Sequence, residues 1–127
     1  LGMMQIMPFN VEWIAKEKNE TPDLDSMFEP AKNVEYANFL LDKLESEFKH
    51  PLFIAYAYNG GEGFTRRMLE QKHMFRKGKL EPWLSMELVH YDESNFYGKR
   101  VLANYIIYSK IMGIELDLDK LLGDLAR

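Results

Sequence analysis

A chain of 127 residues, 46% hydrophobic and 13% aromatic, is long enough for one domain with an ordinary core and too aromatic for a disordered segment. Its formal net charge of −4, with lysines and arginines scattered, argues against a nucleic-acid partner, and no run approaches the ~20 apolar residues of a membrane span. The absence of cysteine excludes disulfides and thiolate metal sites.

The opening run, Leu1-Gly2-Met3-Met4-Gln5-Ile6-Met7-Pro8, is apolar apart from one amide and ends on proline. Gln5 must find partners inside the protein or face a ligand, because a buried unpaired amide costs about 1–3 kcal/mol. Residues 9–18 carry Val11, Ile14 and Ala15 at helical spacing, with Asn10 as the expected N-cap. Residues 19–30 are polar, contain Pro22 and read as a loop. Across 31–48 the apolar residues Val34, Ala37, Leu40, Leu41, Leu44 and Phe48 form one stripe, the pattern of a long amphipathic helix opened by Pro30 and ended at His50-Pro51.

A short apolar helix over 52–58 runs into Asn59-Gly60-Gly61-Glu62-Gly63, where the glycines mark a tight backbone bend. Another helix follows to about Phe75, closed by Lys77-Gly78-Lys79. Residues 82–90 read as a short helix. Asp92 or Ser94 then caps a long one that holds Tyr97, Val101, Leu102, Tyr105, Ile106, Tyr108 and Ile111 inside and stops at Gly113. Residues 117–127 form a last amphipathic helix. No strand-period alternation of useful length occurs, so the fold class is all-α and the chain reads as a single domain.

Three ordered segments resemble the catalytic domain of soluble lytic murein transglycosylases, of the lysozyme-like superfamily. Gly2-Met3-Met4-Gln5-Ile6-Met7-Pro8 is similar to the family's Gly-Leu-Met-Gln-Ile-Met-Pro. Ala57-Tyr58-Asn59-Gly60-Gly61-Glu62-Gly63 is similar to Ala-Tyr-Asn-Ala-Gly-x-Gly. Glu87, Glu93, Tyr97, Val101 and Leu102 follow the spacing of Glu-x-Ile-Pro-x-x-Glu-Thr-x-x-Tyr-x-x-x-Val, and Phe28-Glu29-Pro30 with Asn33 and Tyr36 supports the set. Departures fall at Gly60, Glu62, Val89-His90 and Asn95-Phe96.

The resemblance implies cleavage of the β-1,4 bond between N-acetylmuramic acid and N-acetylglucosamine in peptidoglycan. A single glutamic acid donates the proton and the sugar's 6-hydroxyl closes onto C1, giving a 1,6-anhydromuramoyl end. That acid precedes the Gly-Leu-Met-Gln segment in the family. The chain is therefore expected to be a lysozyme-like helical domain missing its first helix and its general acid, inactive alone. It is also expected to self-associate through the surface that the missing helix would cover.

The resemblance also implies site roles. Gln5 and Met7 line the glycan groove, Tyr58 hydrogen-bonds near the catalytic acid and positions substrate, Asn59 organises the bend, and Glu87 contacts sugar without being the proton donor. Tyr97 reaches the groove or lies in the core. From the residues alone, Gln5 equally caps backbone, Met7 fills core, Tyr58 and Asn59 are structural, and Glu87 is solvated. Glu93 reads as helix-start chemistry and Glu62 has no assigned role.

His50, His73 and His90 are too far apart in sequence to suggest a metal, and no cofactor is expected. Arg66, Arg67, Lys72, Arg76, Lys77 and Lys79 form a basic stretch, read as a solvated helix face or as attraction for the acidic peptide stems of peptidoglycan. The implied partners are peptidoglycan glycan strands and the implied location is periplasmic or cell-envelope. Two other readings stay open: a non-catalytic glycan-binding module and a helical interaction domain.

Overall fold

The computed structural model describes Gly2 and residues 4–127; Leu1 and Met3 of the opening run lie outside the described residues. The described residues contain helices and no strand, in the order α1 (Pro8–Glu17), a 3-10 turn (Asp25–Phe28), α2 (Pro30–Phe48), α3 (Pro51–Gly60), α4 (Glu62–Glu70), α5 (Trp83–Leu88), α6 (Asp92–Ile111) and α7 (Leu118–Gly123). The chain divides into two compact units, one up to Ser46 and one from Glu47 to Arg127. No helix among the described residues is long and apolar enough to cross a membrane.

In the first unit α1 starts one residue before the expected helix. Met7 is its N-cap and Pro8 takes the first turn, where a missing N–H costs nothing. Asn10 therefore lies inside the helix, which has no side-chain cap. Val11, Ile14 and Ala15 are buried as their spacing predicts. The helix ends in a Schellman motif: Asn19 adopts φ +55°, its N–H reaches Lys16 O, and Glu20 N–H reaches Ala15 O at 2.8 Å. The stretch that follows contains the 3-10 turn, whose Met27 is buried.

On α2 the buried residues are Asn33, Tyr36, Ala37, Leu40, Leu44 and Phe48, while Val34 is exposed. The stripe is rotated relative to the apolar residues because two polar side chains on its face are hydrogen-bonded. Asn33 Oδ1 accepts from Met4 N at 2.6 Å and Tyr36 Oη donates to Glu20 Oε2 at 2.6 Å. Burial and the Glu20 carboxylate push the Tyr36 phenol up to about 12.

In the second unit His50 caps α3. Leu52 N–H donates to its Nδ1 at 3.0 Å, which leaves Nε2 as the donor to Leu121 O at 2.7 Å. Leu52, Phe53, Ala55, Tyr56 and Ala57 of α3 are buried, and α3 packs along α6. The approach is close at Gly98, where a Cβ would lie 2.3 Å from the Tyr56 ring and 3.1 Å from Leu52 Cδ1.

The expected helix to Phe75 ends at Glu70. Met74 and Phe75 are buried all the same, in irregular backbone held from afar. Phe75 N–H donates to Ser85 Oγ at 2.7 Å, while Arg127 donates to the carbonyls of Leu69, Met74 and Phe75. Gly113, at φ +75°, closes α6 with Ile114 N–H on Ser109 O. The C-terminal half of α6 departs from expectation: Tyr105, Tyr108 and Ile111 are exposed, Ile111 to 72%. The final helix is shorter than expected; Asp117 Oδ1 caps it by accepting from Lys120 N.

Candidate functional site

The opening segment owes its shape to Gly2. At φ +71°, a Cβ there would meet Met27 O at 2.1 Å and the Asn33 amide at 2.7 Å, so only glycine fits. Met4 N–H then docks on Asn33, and the turn closes with Gln5 N–H and Gln5 Nε2 both donating to Gly2 O. Ile6 is buried, whereas Gln5 and Met7 on either side are exposed, Met7 to 53%. Gln5 holds φ +55°, a conformation that costs a non-glycine residue about 1 kcal/mol. One amide hydrogen of Gln5 is used internally, and the residue is otherwise exposed.

The second segment sits where α3 gives way to α4. Gly60 closes α3 and Gly61, at φ +97° and ψ 153°, reverses the chain into Glu62. Asn59 ties this bend to the start of α6: its Oδ1 accepts from the buried Ser94 hydroxyl at 2.8 Å and its Nδ2 donates to Glu93 Oε1 at 3.3 Å. Glu93 also stands in the first turn of α6, where a carboxylate is favoured by the helix dipole. A Cβ on Gly60 would meet both the Phe64 ring and Ser94 Oγ at 2.7 Å, which accounts for glycine at this position.

Tyr58 and Tyr97 are half-buried, and Tyr97 is close enough to influence the ionisation of Tyr58. Burial first, and the neighbouring Tyr97 second, push the Tyr58 phenol up to about 12; burial raises Tyr97 as well. Both remain neutral at any cellular pH, as hydroxyls that donate one hydrogen bond and accept others. Beside the bend lies a cavity of about 420 Å³ between Asn59 and Gly60 on one side and residues 90–94 on the other.

Glu87, near the end of α5, is exposed and its Oε1 accepts from Lys99 Nζ at 2.6 Å. Its backbone is set by Asn95, a buried side chain whose Nδ2 donates to the carbonyls of Met86, Glu87 and Val89. Sequence reasoning treated Asn95 only as a departure from a pattern. A six-residue helix with no glycine at its end leaves carbonyls without donors, and a nearby amide was the residue to look for.

The candidate residues thus fall into two roles. Gly2, Asn33, Asn59, Ser94 and Asn95 fix backbone, while Gln5 and Met7 in the first unit, and Tyr58, Glu87 and Tyr97 in the second, carry surface that a ligand can reach. The first unit offers an amide and a thioether, and the second two neutral phenols and a carboxylate already paired with lysine. Each of these polar groups can hydrogen-bond hydroxyl and amide groups. The family model of the transglycosylase SLT domain matches residues 1–80, which include Gln5, Met7, Tyr58 and Asn59 and stop short of Glu87 and Tyr97. No curated protein matches the chain.

Proposed function

The chain belongs to the transglycosylase SLT domain family, an all-α, lysozyme-like group, and from that premise we propose that it binds peptidoglycan glycan strands as part of a lytic transglycosylase. The reaction would cleave the bond between N-acetylmuramic acid and N-acetylglucosamine and leave a 1,6-anhydromuramoyl end. Gln5, Met7, Tyr58, Glu87 and Tyr97 are the residues assigned to the glycan, Tyr58 as a neutral hydroxyl beside the reacting group, with Asn59 at the glycan only through the bend that it holds. The observation that carries the reading is the family match across both the Gln5 and the Tyr58 segments.

Glycosidic cleavage needs a proton donor for the leaving oxygen. Three carboxylates of the second unit are paired: Glu87 with Lys99, Glu93 with Asn59 and Glu62 with Arg66. The reading assigns the proton donor to none of these three. The domain belongs in the cell envelope, where its substrate is.

The test has two arms. Titration with glycan oligomers stripped of peptide should show binding, and Tyr58→Phe and Gln5→Ala should each weaken it. Incubated with purified sacculi, this chain alone should release no 1,6-anhydro products. Failure of glycan oligomers to bind refutes the proposed ligand, and anhydro products would show that one of this chain's own carboxylates is the acid.

A further inference from the structure

The start of α5 turns an apolar face to solvent. Ser85 and Met86 are its buried side, while Trp83 is 56% exposed, Leu84 43% and Leu80, one turn earlier, 60%. Leu84 N–H donates to Leu80 O at 3.0 Å, so Leu80 keeps helical spacing and the three side chains are neighbours on one face. The outward face of a surface helix is ordinarily polar, and apolar side chains grouped there mark an interaction surface.

Cations stand beside this face. Residues 71–80 contain Lys72, Arg76, Lys77 and Lys79 and no aspartate or glutamate. Arg76 is tied to Leu69 O, but the three lysines are exposed and make no ion pair among the described residues. They lie in irregular backbone rather than on α4, which ends at Glu70. A turn closed by Glu81 N–H on Gly78 O puts Lys79 and Leu80 together at its tip.

The two carboxylates of the element do not cancel this charge. Both oxygens of Glu81 accept from Ser85, and Glu87 is neutralised by Lys99. An exposed indole, two exposed leucines and unpaired lysines form a set suited to the boundary of an anionic bilayer. An indole settles at headgroup level, leucines enter the acyl boundary, and lysines reach lipid phosphates along their aliphatic stems.

Other occupants use less of the surface. A soluble acidic polymer would leave Trp83 and Leu80 in water, and a second copy docked face to face would set the lysines of both copies against each other. The chain as a whole carries a net charge of −4, so an anionic surface repels the rest of it and admits it by this face.

We propose that the face formed by Leu80, Trp83 and Leu84, with Lys77 and Lys79 beside it, rests on the surface of an anionic lipid bilayer. The contact is peripheral and reversible, and it is independent of the glycan reading above.

The experiment measures co-sedimentation of the full chain with vesicles of phosphatidylglycerol and phosphatidylcholine, without glycan. The parent should bind these vesicles and not vesicles of phosphatidylcholine alone. Trp83→Ala should weaken binding by about tenfold or more, as expected for an indole withdrawn from water. Lys77→Gln and Lys79→Gln should each weaken it by about fivefold. Ile111→Ser and Lys110→Gln, which remove an exposed apolar group and an exposed cation elsewhere, should leave it unchanged.

A second measurement does not depend on the folding of the Trp83 variant. In Trp13→Phe the remaining indole is Trp83, and its emission should shift to the blue on the anionic vesicles alone. No binding to anionic vesicles, equal binding to phosphatidylcholine, or no blue shift would each overturn the proposal. So would an equal loss in Lys110→Gln and Lys77→Gln, or full competition by polyglutamate, which would make the ligand a soluble polyanion.

Discussion

Gly98→Ala should destabilise the protein even though it replaces glycine with the best helix former inside a 20-residue helix. Helix propensity alone favours the change by about 1 kcal/mol. Against it stands the contact with α3, where the added methyl would sit 2.3 Å from Tyr56 Cε1, 3.0 Å from Cδ1 and 3.1 Å from Leu52 Cδ1. An ordinary carbon–carbon separation is about 3.5–4.0 Å, so the ring must give by more than an ångström. Tyr56 and Leu52 are both completely buried, and the Tyr56 ring is backed by Phe75 at 6.1 Å between centroids.

The ring has nowhere to rotate, and the relief must come from moving α6 away from α3. Overpacking of this kind costs about 1–3 kcal/mol. An approach of 2.3 Å lies at the upper end of that range, about 2–3 kcal/mol, so a net loss of about 1–2 kcal/mol remains after the propensity gain, or roughly 3–8 °C in Tm for a chain of this length. Thermal and urea unfolding followed by circular dichroism would measure it. Gly123→Ala is the control: it lies in a helix with no atom within 4 Å of its added Cβ and should be neutral or stabilising. A Gly98→Ala protein that melts at or above the parent would refute the packing argument.

Tyr56→Phe should stabilise or be neutral, because its hydroxyl is buried without a hydrogen-bond partner and an unsatisfied group costs about 1–3 kcal/mol; a lower urea midpoint would show that the hydroxyl has a partner. Burial holds His50 below the usual histidine value, so its neutral form contributes stability above about pH 6.5 that is lost as pH falls through that value toward the lower folded one. His50→Asn keeps an N-cap without a titrating ring and should flatten the dependence of the urea midpoint between about pH 7.5 and pH 5.5; an unchanged slope would remove His50 as its source. Gly2→Ala should detach the opening segment, since the left-handed backbone alone costs a non-glycine about 1–2 kcal/mol before the collision with Met27 O is counted. Loss of hydrogen-exchange protection at the Met4 amide would report the detachment, and unchanged protection would contradict it.

What could be read from the sequence followed local rules. Pro30 opens a helix, Gly113 closes one, and Val11, Ile14 and Ala15 are buried where their spacing put them, whereas Pro8 and Pro51, read as ends of the segments before them, open helices too. What could not be read depended on distant partners. Met74 and Phe75 looked helical because apolar residues at such spacing usually are, but the backbone there takes its hydrogen bonds from Ser85 and Arg127. Val34 was expected inside and Asn33 was not, because the partner of Asn33 is a main-chain amide 29 residues away. Tyr105, Tyr108 and Ile111 show the opposite limit: apolar character states a preference for burial without supplying a neighbour. In the candidate site, Gln5 stood out as an amide in an apolar run and Tyr58 by its place before a glycine bend, whereas Asn95 acts through three carbonyls that only the fold brings to it.

Arg127 gives the chain a boundary different from the one similarity suggests. The family match ends at residue 80, yet the guanidinium 47 positions further on closes the carbonyls of Leu69, Met74 and Phe75. The match also stops before α6, which covers α3. A fragment trimmed to the recognisable segment would keep the residues that name the family and lose those that keep it folded. Inheritance and cooperativity do not share an edge at residue 80.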